Sequence, residues 1–268
     1  MVNIPENINK ICVHTGNILN LNEVKKNAGQ NSSEELVESL KIALKGWSPP
    51  AENNGTCLEV RSNDETIKVS GVERSELRTS AKVFITSDKK EALQEAIDKL
   101  FASLEADNID SVVMAYTGTS HEANNRLSEI QHLWEVLEAN VQSGKLSRIG
   151  ISDVDTDLFI TLYNSAKTKP SIVQINLASC CVVPPALQEF CKQNDIQLLT
   201  HNDPLDFLPS KKLHAAFGLS NDSSTFTYKW ITRYLTLLCC RGVIAAKGAS
   251  AKSSITDHSS ARKPIVPG

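Results

Sequence analysis

Short apolar runs and longer stretches of helical periodicity alternate along almost the whole chain. The runs Ile11–His14, Cys57–Val60, Ala81–Thr86, Ser111–Ala115, Arg148–Ile151, Ile172–Asn176, Gln197–Thr200 and Gly242–Ala245 have the length and composition of strands. Between them, Leu36, Leu40, Ala43, Leu44 and Trp47 share one helical face behind Ser32 and Glu35, which have capping-box spacing. Asp88 and Glu91 offer a similar start to a stripe running from Ala92 and Leu93 to Leu104. Ser128 and Gln131 open a third helix with Ile130, Leu133, Trp134, Leu137 and Val141 inward, and Gly144 stops it in the C′ position. Leu158, Phe159, Leu162, Tyr163 and Ala166 make a fourth face, with Asp153 or Asp155 as its cap. Pro184 and Pro185 start a fifth helix over Ala186–Gln193, where a missing N–H costs nothing. Phe226–Cys240 reads as another helix, ended at Arg241–Gly242.

Strands alternating with single helices imply a parallel sheet, and eight such units imply a closed (β/α)8 TIM-type barrel. An open doubly wound sheet is the rival architecture, but no GxGxxG follows any strand. One α/β domain over residues 1–268 is expected. Residues 48–80, with Pro49–Pro50, Asn53–Asn54–Gly55 and many charges, make the second β/α unit irregular or short. Residues 208–225 read as a long loop with a short helical piece. Residues 248–268 are expected to form a poorly ordered tail.

Composition narrows the classes further. Net charge is −3, and no stretch clusters Lys and Arg, which argues against nucleic acid and membrane surfaces as partners. No apolar run approaches a membrane span, and the first ten residues lack the basic and apolar regions of a secretory signal, so a cytoplasmic protein is expected. The seven cysteines, at 12, 57, 180, 181, 191, 239 and 240, form no CxxC and no Cys/His ligand spacing. Reduced thiols are expected, and no metal site. Most should pack as small hydrophobes. An exposed one among Cys180, Cys181, Cys239 and Cys240 could instead crosslink to a partner under oxidation. His14 and His201 lie near strand ends, where barrel loops carry function, but a polar residue satisfying loop backbone would sit there equally well.

Several phrases in order closely resemble one family. They are HTGNILN, SSEELVESLKIALKGWS, SAKVFI, IGISDVD, QINLASCCVVPP, QLLTHNDP and RGV, spread over residues 13–243. Together they resemble the regulatory (modifier) subunits of glutamate–cysteine ligase, which have an aldo-keto-reductase-like fold. Reductases of that fold use an Asp, Tyr, Lys and His tetrad, in which Tyr protonates the carbonyl oxygen. Carried onto this chain, the resemblance leaves the tetrad without its members. None of the four tyrosines precedes the third strand, Asp88 stands in place of the Lys, and Ala115 stands in place of the His. The cofactor positions are eroded too. Ser152, Gln174 and Lys247 are retained as relict candidates, whereas Asp153 replaces an Asn, Asn202 replaces the stacking Tyr, and Ser253 stands near the phosphate-clamping Arg.

The resemblance therefore implies a non-catalytic regulatory subunit with no catalytic residues and no cofactor. It would bind the catalytic (heavy) subunit of glutamate–cysteine ligase as a heterodimer in glutathione biosynthesis, improving glutamate use and relieving feedback inhibition by glutathione. The alternative is an NADPH-dependent aldo-keto reductase or a relict nucleotide-binding barrel.

Overall fold

The computed structural model of the chain describes residues 8–21, 31–45, 47, 56–62, 72–118, 123–177, 182–204, 206–217 and 224–257. All eight expected strands are present: β1 (Lys10–His14), β2 (Cys57–Arg61), β3 (Leu77–Ile85), β4 (Ile109–Tyr116), β5 (Leu146–Ser152), β6 (Ile172–Asn176), β7 (Gln197–His201) and, last in the chain, β9 (Val243–Asp257). The helices are α1 (Ser32–Leu44), α2 (Lys90–Leu104), α3 (Ala123–Gln142), α4 (Thr156–Ser165), α5 (Pro185–Gln193) and α6 (Ser210–Phe217). The second β/α unit is irregular as expected. Among the described residues, only the 3-10 turn Arg74–Glu76 lies between β2 and β3.

The ninth strand is the main departure from expectation. Residues 224–238 form β8, not a helix over Phe226–Cys240, and β8 pairs with β9 as a long antiparallel hairpin. Phe226, Tyr228, Trp230, Thr232, Tyr234 and Thr236 are all buried, a period of two set in an aromatic and β-branched sequence. A bulge with Lys229 as the extra residue lies between Tyr228 and Trp230. Trp230 and Tyr234 consequently pack toward one core, while Phe226, Tyr228 and Ile231 pack toward the other. The expected loose tail is corrected as well. Residues 248–257 belong to β9, held by ladders to β8 and β1 on its two sides. Residues 258–268 lie outside the described residues.

The sheet order is β2-β1-β9-β8-β3-β4-β5-β6-β7. Strands β3 to β7 are parallel neighbours joined by α2–α5, the βα run of a TIM-type barrel. The hairpin sits between β1 and β3, where consecutive barrel strands would pair β2 with β3. Because β9 meets β1 antiparallel, β1 and β2 run against β3–β7. Among the described residues no ladder joins β2 to β7, and the sheet is unclosed.

Alternation sorts the side chains onto two cores. Val83, Ile85, Val112, Met114, Ile149, Ile151 and Val173 face α2–α5, together with Trp134 and Phe159. On the opposite face Phe84, Ala115, Phe207, Ile231, Ile11 and Val13 pack against α1 and α6. The caps differ from expectation by small steps. Asn31, not Ser32, caps α1 and forms the capping box with Glu34. Lys89, not Asp88, is the N-cap of α2 and makes no side-chain cap bond. Ser128 lies inside α3, which begins at Ala123. Asp155 caps α4, its Oδ1 accepting from the Leu158 N–H at 2.8 Å. Gly144 takes φ +75° just past α3, the left-handed C-terminal position anticipated for it.

Candidate functional site

Strand alternation gives β3 an unusual residue on the face turned toward α1 and α6. Val83 and Ile85 point to the helices, so Lys82 points with Phe84 into the space under α1 and α6. The Lys82 side chain is only 10% exposed, and a buried ammonium needs a partner. Asp203, just beyond β7, supplies it. Its Oδ2 lies 3.0 Å from Lys82 Nζ, and its Oδ1 takes Arg233 Nη1 of β8 at 2.9 Å and the Ser32 hydroxyl of α1 at 2.5 Å. Its backbone carbonyl accepts from Asn176 Nδ2 at 2.7 Å. Phe84 and Phe207 stack 4.0 Å apart, with Lys82 over the first ring and Arg233 over the second.

His201, the last residue of β7, bridges Asp203 to Asp153. Nε2 is 2.9 Å from Asp153 Oδ1, and Nδ1 is 3.2 Å from Asp203 Oδ2. Burial alone would lower its pKa, but the hydrogen bonds to Asp153 and Asp203 outweigh burial and hold it above 6.5. Burial alone would raise the carboxyl of Asp203. His201, Lys82, Ser32 and Arg233 reverse this and hold it far below the usual range. Asp153 is depressed in the same way, burial being outweighed by His201 and Lys82.

The three relict candidates are brought near this cluster but are differently engaged. Ser152 ends β5, buried, donating to Asp153 Oδ2 at 2.9 Å and lying 3.1 Å from His201 Nε2. Gln174 on β6 and Lys247 on β9 both line the cavity of about 440 Å³ beside the cluster. Lys247 Nζ is held by Glu35 Oε2 of α1 at 2.6 Å. A dinucleotide phosphate at Lys247 would meet the Glu35 carboxylate, and Ser152 already serves Asp153. The residues present do not fit a nicotinamide dinucleotide. Lys82, Asp203 and Arg233 were not anticipated as site residues. The signal for them was a lysine at an inward position of the strand SAKVFI and an arginine midway along a run of aromatics.

A second cavity, of about 390 Å³, opens at the C-terminal ends of β3–β6, lined by Phe84, Ala115, Tyr116, Asp153, Asn176 and Asp203 among others. Ala115 itself brings no titratable group to it. The Tyr116 hydroxyl donates to Glu129 Oε2 at 2.9 Å, and burial, then Glu129, push its pKa upward. Asp88 lies in the loop before α2. His14, at the end of β1, belongs to a separate buried cluster. Nδ1 meets the hydroxyls of Ser250 at 2.8 Å and Ser103 at 3.2 Å, and Nε2 meets Glu59 Oε1 at 3.1 Å and Cys12 Sγ at 3.4 Å. Among the described residues no group of His, Cys, Asp and Glu is arranged to hold a metal ion. No helix among them is long and apolar enough to cross a membrane. Cys12 and Cys191 are buried as expected, whereas Cys57, Cys239 and Cys240 are exposed, the last two in the turn between β8 and β9. Cys180 and Cys181 lie outside the described residues.

The His14 cluster has a measurable pH signature. Burial, reinforced by Arg61 and Lys99 and only partly opposed by Glu59, pushes its pKa down to about 4 from 6.5. The unfolded chain then binds a proton that the folded chain refuses between those values, so stability falls as pH drops from 6.5 to 4. The loss is on the order of 3 kcal/mol. The depressed Asp203 and Asp153 contribute stability above 3.8 that is lost as pH falls further. His201, held above 6.5, contributes stability that is full below 6.5 and fades as pH rises through its folded value. Urea midpoints across pH should show the first limb in the wild type and not in His14→Asn.

The chain matches the aldo/keto reductase family model over residues 59–212. It is 36% identical over 245 residues to the glutamate–cysteine ligase regulatory subunit of Mus musculus, covering 88% of this chain and 89% of that protein, and the same identity and coverage hold for the Homo sapiens protein. It is 22% identical over 280 residues to a putative glutamate–cysteine ligase regulatory subunit of Schizosaccharomyces pombe, covering 92% and 97%. A solved aldo/keto reductase from Brucella melitensis superposes with a TM-score of 0.43 at 19% identity, over 64% of each chain. The chain belongs to the glutamate–cysteine ligase regulatory subunit family, within the aldo/keto reductase family whose model it matches.

Proposed function

We propose that this chain is a non-catalytic subunit that binds the catalytic subunit of glutamate–cysteine ligase as a heterodimer in the cytoplasm, improves its use of glutamate and relieves its inhibition by glutathione. The observation that carries the reading is the 36% identity to mammalian regulatory subunits across 88% of the chain. The mouth of the β3–β6 cavity supports its non-catalytic part. Ala115 offers no acid or base there, and the one tyrosine lining it is committed to Glu129. Residues 1–268 form one domain in this reading, built on the single nine-stranded sheet.

The mechanism is a population shift. The subunit binds the glutamate-competent state of its partner more tightly, with a coupling of roughly 1–3 kcal/mol. Reciprocity then requires glutamate to tighten the heterodimer by the same factor. The exposure of Cys239 and Cys240 at the hairpin turn supports them as the candidates for an oxidative crosslink to the partner. The test is a glutamate titration of the catalytic subunit with and without this chain. A lower apparent KM for glutamate, weaker glutathione inhibition and co-elution are expected; unchanged kinetics with no co-elution would remove the reading.

A further inference from the structure

Cys239 and Cys240 stand side by side at the tip of the β8–β9 hairpin, and both are exposed. The Arg241 N–H donates to the Leu238 carbonyl at 3.3 Å, and the Gly242 N–H donates to the same oxygen at 2.9 Å. The two cysteines are therefore the central residues of a hydrogen-bonded turn. Neither has a positive φ and neither peptide is cis, which makes the turn type I. Their side chains thus do not alternate to opposite faces, as neighbours in a strand do. The turn is also pinned, because the Cys239 N–H donates to the Glu76 carbonyl at 2.8 Å, just before β3.

Two thiols so placed close poorly on each other. Adjacent Cα atoms are about 3.8 Å apart across a trans peptide, short of the roughly 4.4–6.8 Å that an unstrained disulfide spans. The pair is kept as a dithiol, and a ring that takes in one further atom relieves the strain. Cys12 and Cys191 are buried, which leaves Cys57 as the one other exposed thiol among the described residues. Val243 and Ile244, 49% and 46% exposed, follow the turn and set apolar surface beside the two sulfurs.

We propose that Cys239 and Cys240 form a chelating site for trivalent arsenicals, and best for one carrying an aryl group. Soft thiolates favour a soft, polarisable acceptor. With phenylarsine oxide, two As–S bonds replace the bonding between arsenic and oxygen, and the two thiol protons leave with that oxygen as water. Arsenic stays trivalent, and no oxidant is consumed. The phenyl ring lies toward Val243 and Ile244. The second As–S bond forms within the chain, so the chelate outlasts the adduct of a single thiol. Its formation also withdraws both sulfurs from any crosslink.

The test is intact-mass analysis of the full, reduced chain treated with phenylarsine oxide, in a Cys180→Ser, Cys181→Ser background that removes the other adjacent pair. One phenylarsenic group per chain is expected, withstanding about a hundredfold molar excess of mercaptoethanol over the arsenical. The dithiol dimercaprol should release it. Cys239→Ser and Cys240→Ser should each abolish the resistant adduct, whereas Cys57→Ser should keep it. No resistant adduct in the background chain, its retention in either turn variant, or its loss in Cys57→Ser would overturn the assignment. The assay needs no partner subunit, so its failure would leave the regulatory reading untouched.

Discussion

Asp203→Ala is expected to destabilise the protein by about 3–5 kcal/mol, the cost of leaving buried charges without their counter-ion. The carboxylate, 10% exposed, receives Lys82, Arg233, Ser32 and His201 from β3, β8, α1 and β7. Alanine removes a partner from all four; His201 keeps Asp153, but Lys82, as buried as Asp203 itself, is left with Asp153 only at 4.0 Å. Lys82→Met is the informative control. It removes one partner, keeps an apolar stem beside Phe84 and leaves Asp203 bonded to Arg233, Ser32 and His201. Its cost should be clearly smaller, because Asp203 keeps these three partners and no buried charge is left without one. Urea unfolding at pH 7 with unchanged slope would measure both. Equal losses in the two variants would mean that Asp203 is no hub and that the cluster is a set of separable pairs.

The cluster also marks the limit of what the amino-acid sequence discloses. Lys82 and Asp203 are 121 residues apart and Arg233 is 30 beyond Asp203, so no local spacing could pair them. What was legible is local. Runs such as Ile172–Asn176 are strands because they are apolar, short and β-branched, and Asp155 and Gly144 punctuate helices where expected. Capping failed by one residue in α1 because Asn31 with Glu34 and Ser32 with Glu35 satisfy the same spacing, and only the backbone chooses. Relict cofactor positions led partway to the cavity. Gln174 and Lys247 line it, whereas Ser152 lies one layer behind, on His201.

The hairpin was misread for a physical reason as well. In FTYKWITRYLTLL, Phe226, Trp230, Tyr234 and Leu237 or Leu238 fall at helical spacing, while Phe226, Tyr228, Trp230, Thr232 and Tyr234 alternate as a strand does. Thr225, Thr227, Ile231, Thr232 and Thr236 decide between the two, because β-branched residues lose rotamer freedom in a helix and fit a pleated surface. The turn Cys239–Gly242, with Gly242 at φ +61°, then closes β8 onto β9. The consequence reaches the whole sheet, since among the described residues this hairpin alone joins β1 to β3.

Trp230 fixes the hairpin in place, and Trp230→Ala is expected to cost about 3–5 kcal/mol. The side chain is fully buried, opposite Ile85 of β3 on one side and Lys252 of β9 on the other. Its Nε1 donates to Glu95 Oε2 of α2 at 3.1 Å, and the other oxygen of Glu95 takes Lys252 Nζ. Truncation thus opens a cavity and removes one of the bonds that tie α2 to the hairpin, leaving Lys252 to Glu95 and Ser103 to Ser250. Trp230→Phe restores most of the volume but not the N–H, so its smaller loss, about 1–2 kcal/mol, isolates the bond to Glu95. Amide hydrogen exchange should locate the damage. Because the parallel ladders from β4 to β7 do not pass through Trp230, protection should fall along β8, β9 and β1 and persist in β5 and β6. Uniform loss across the sheet would instead show that hairpin and parallel run unfold as one unit.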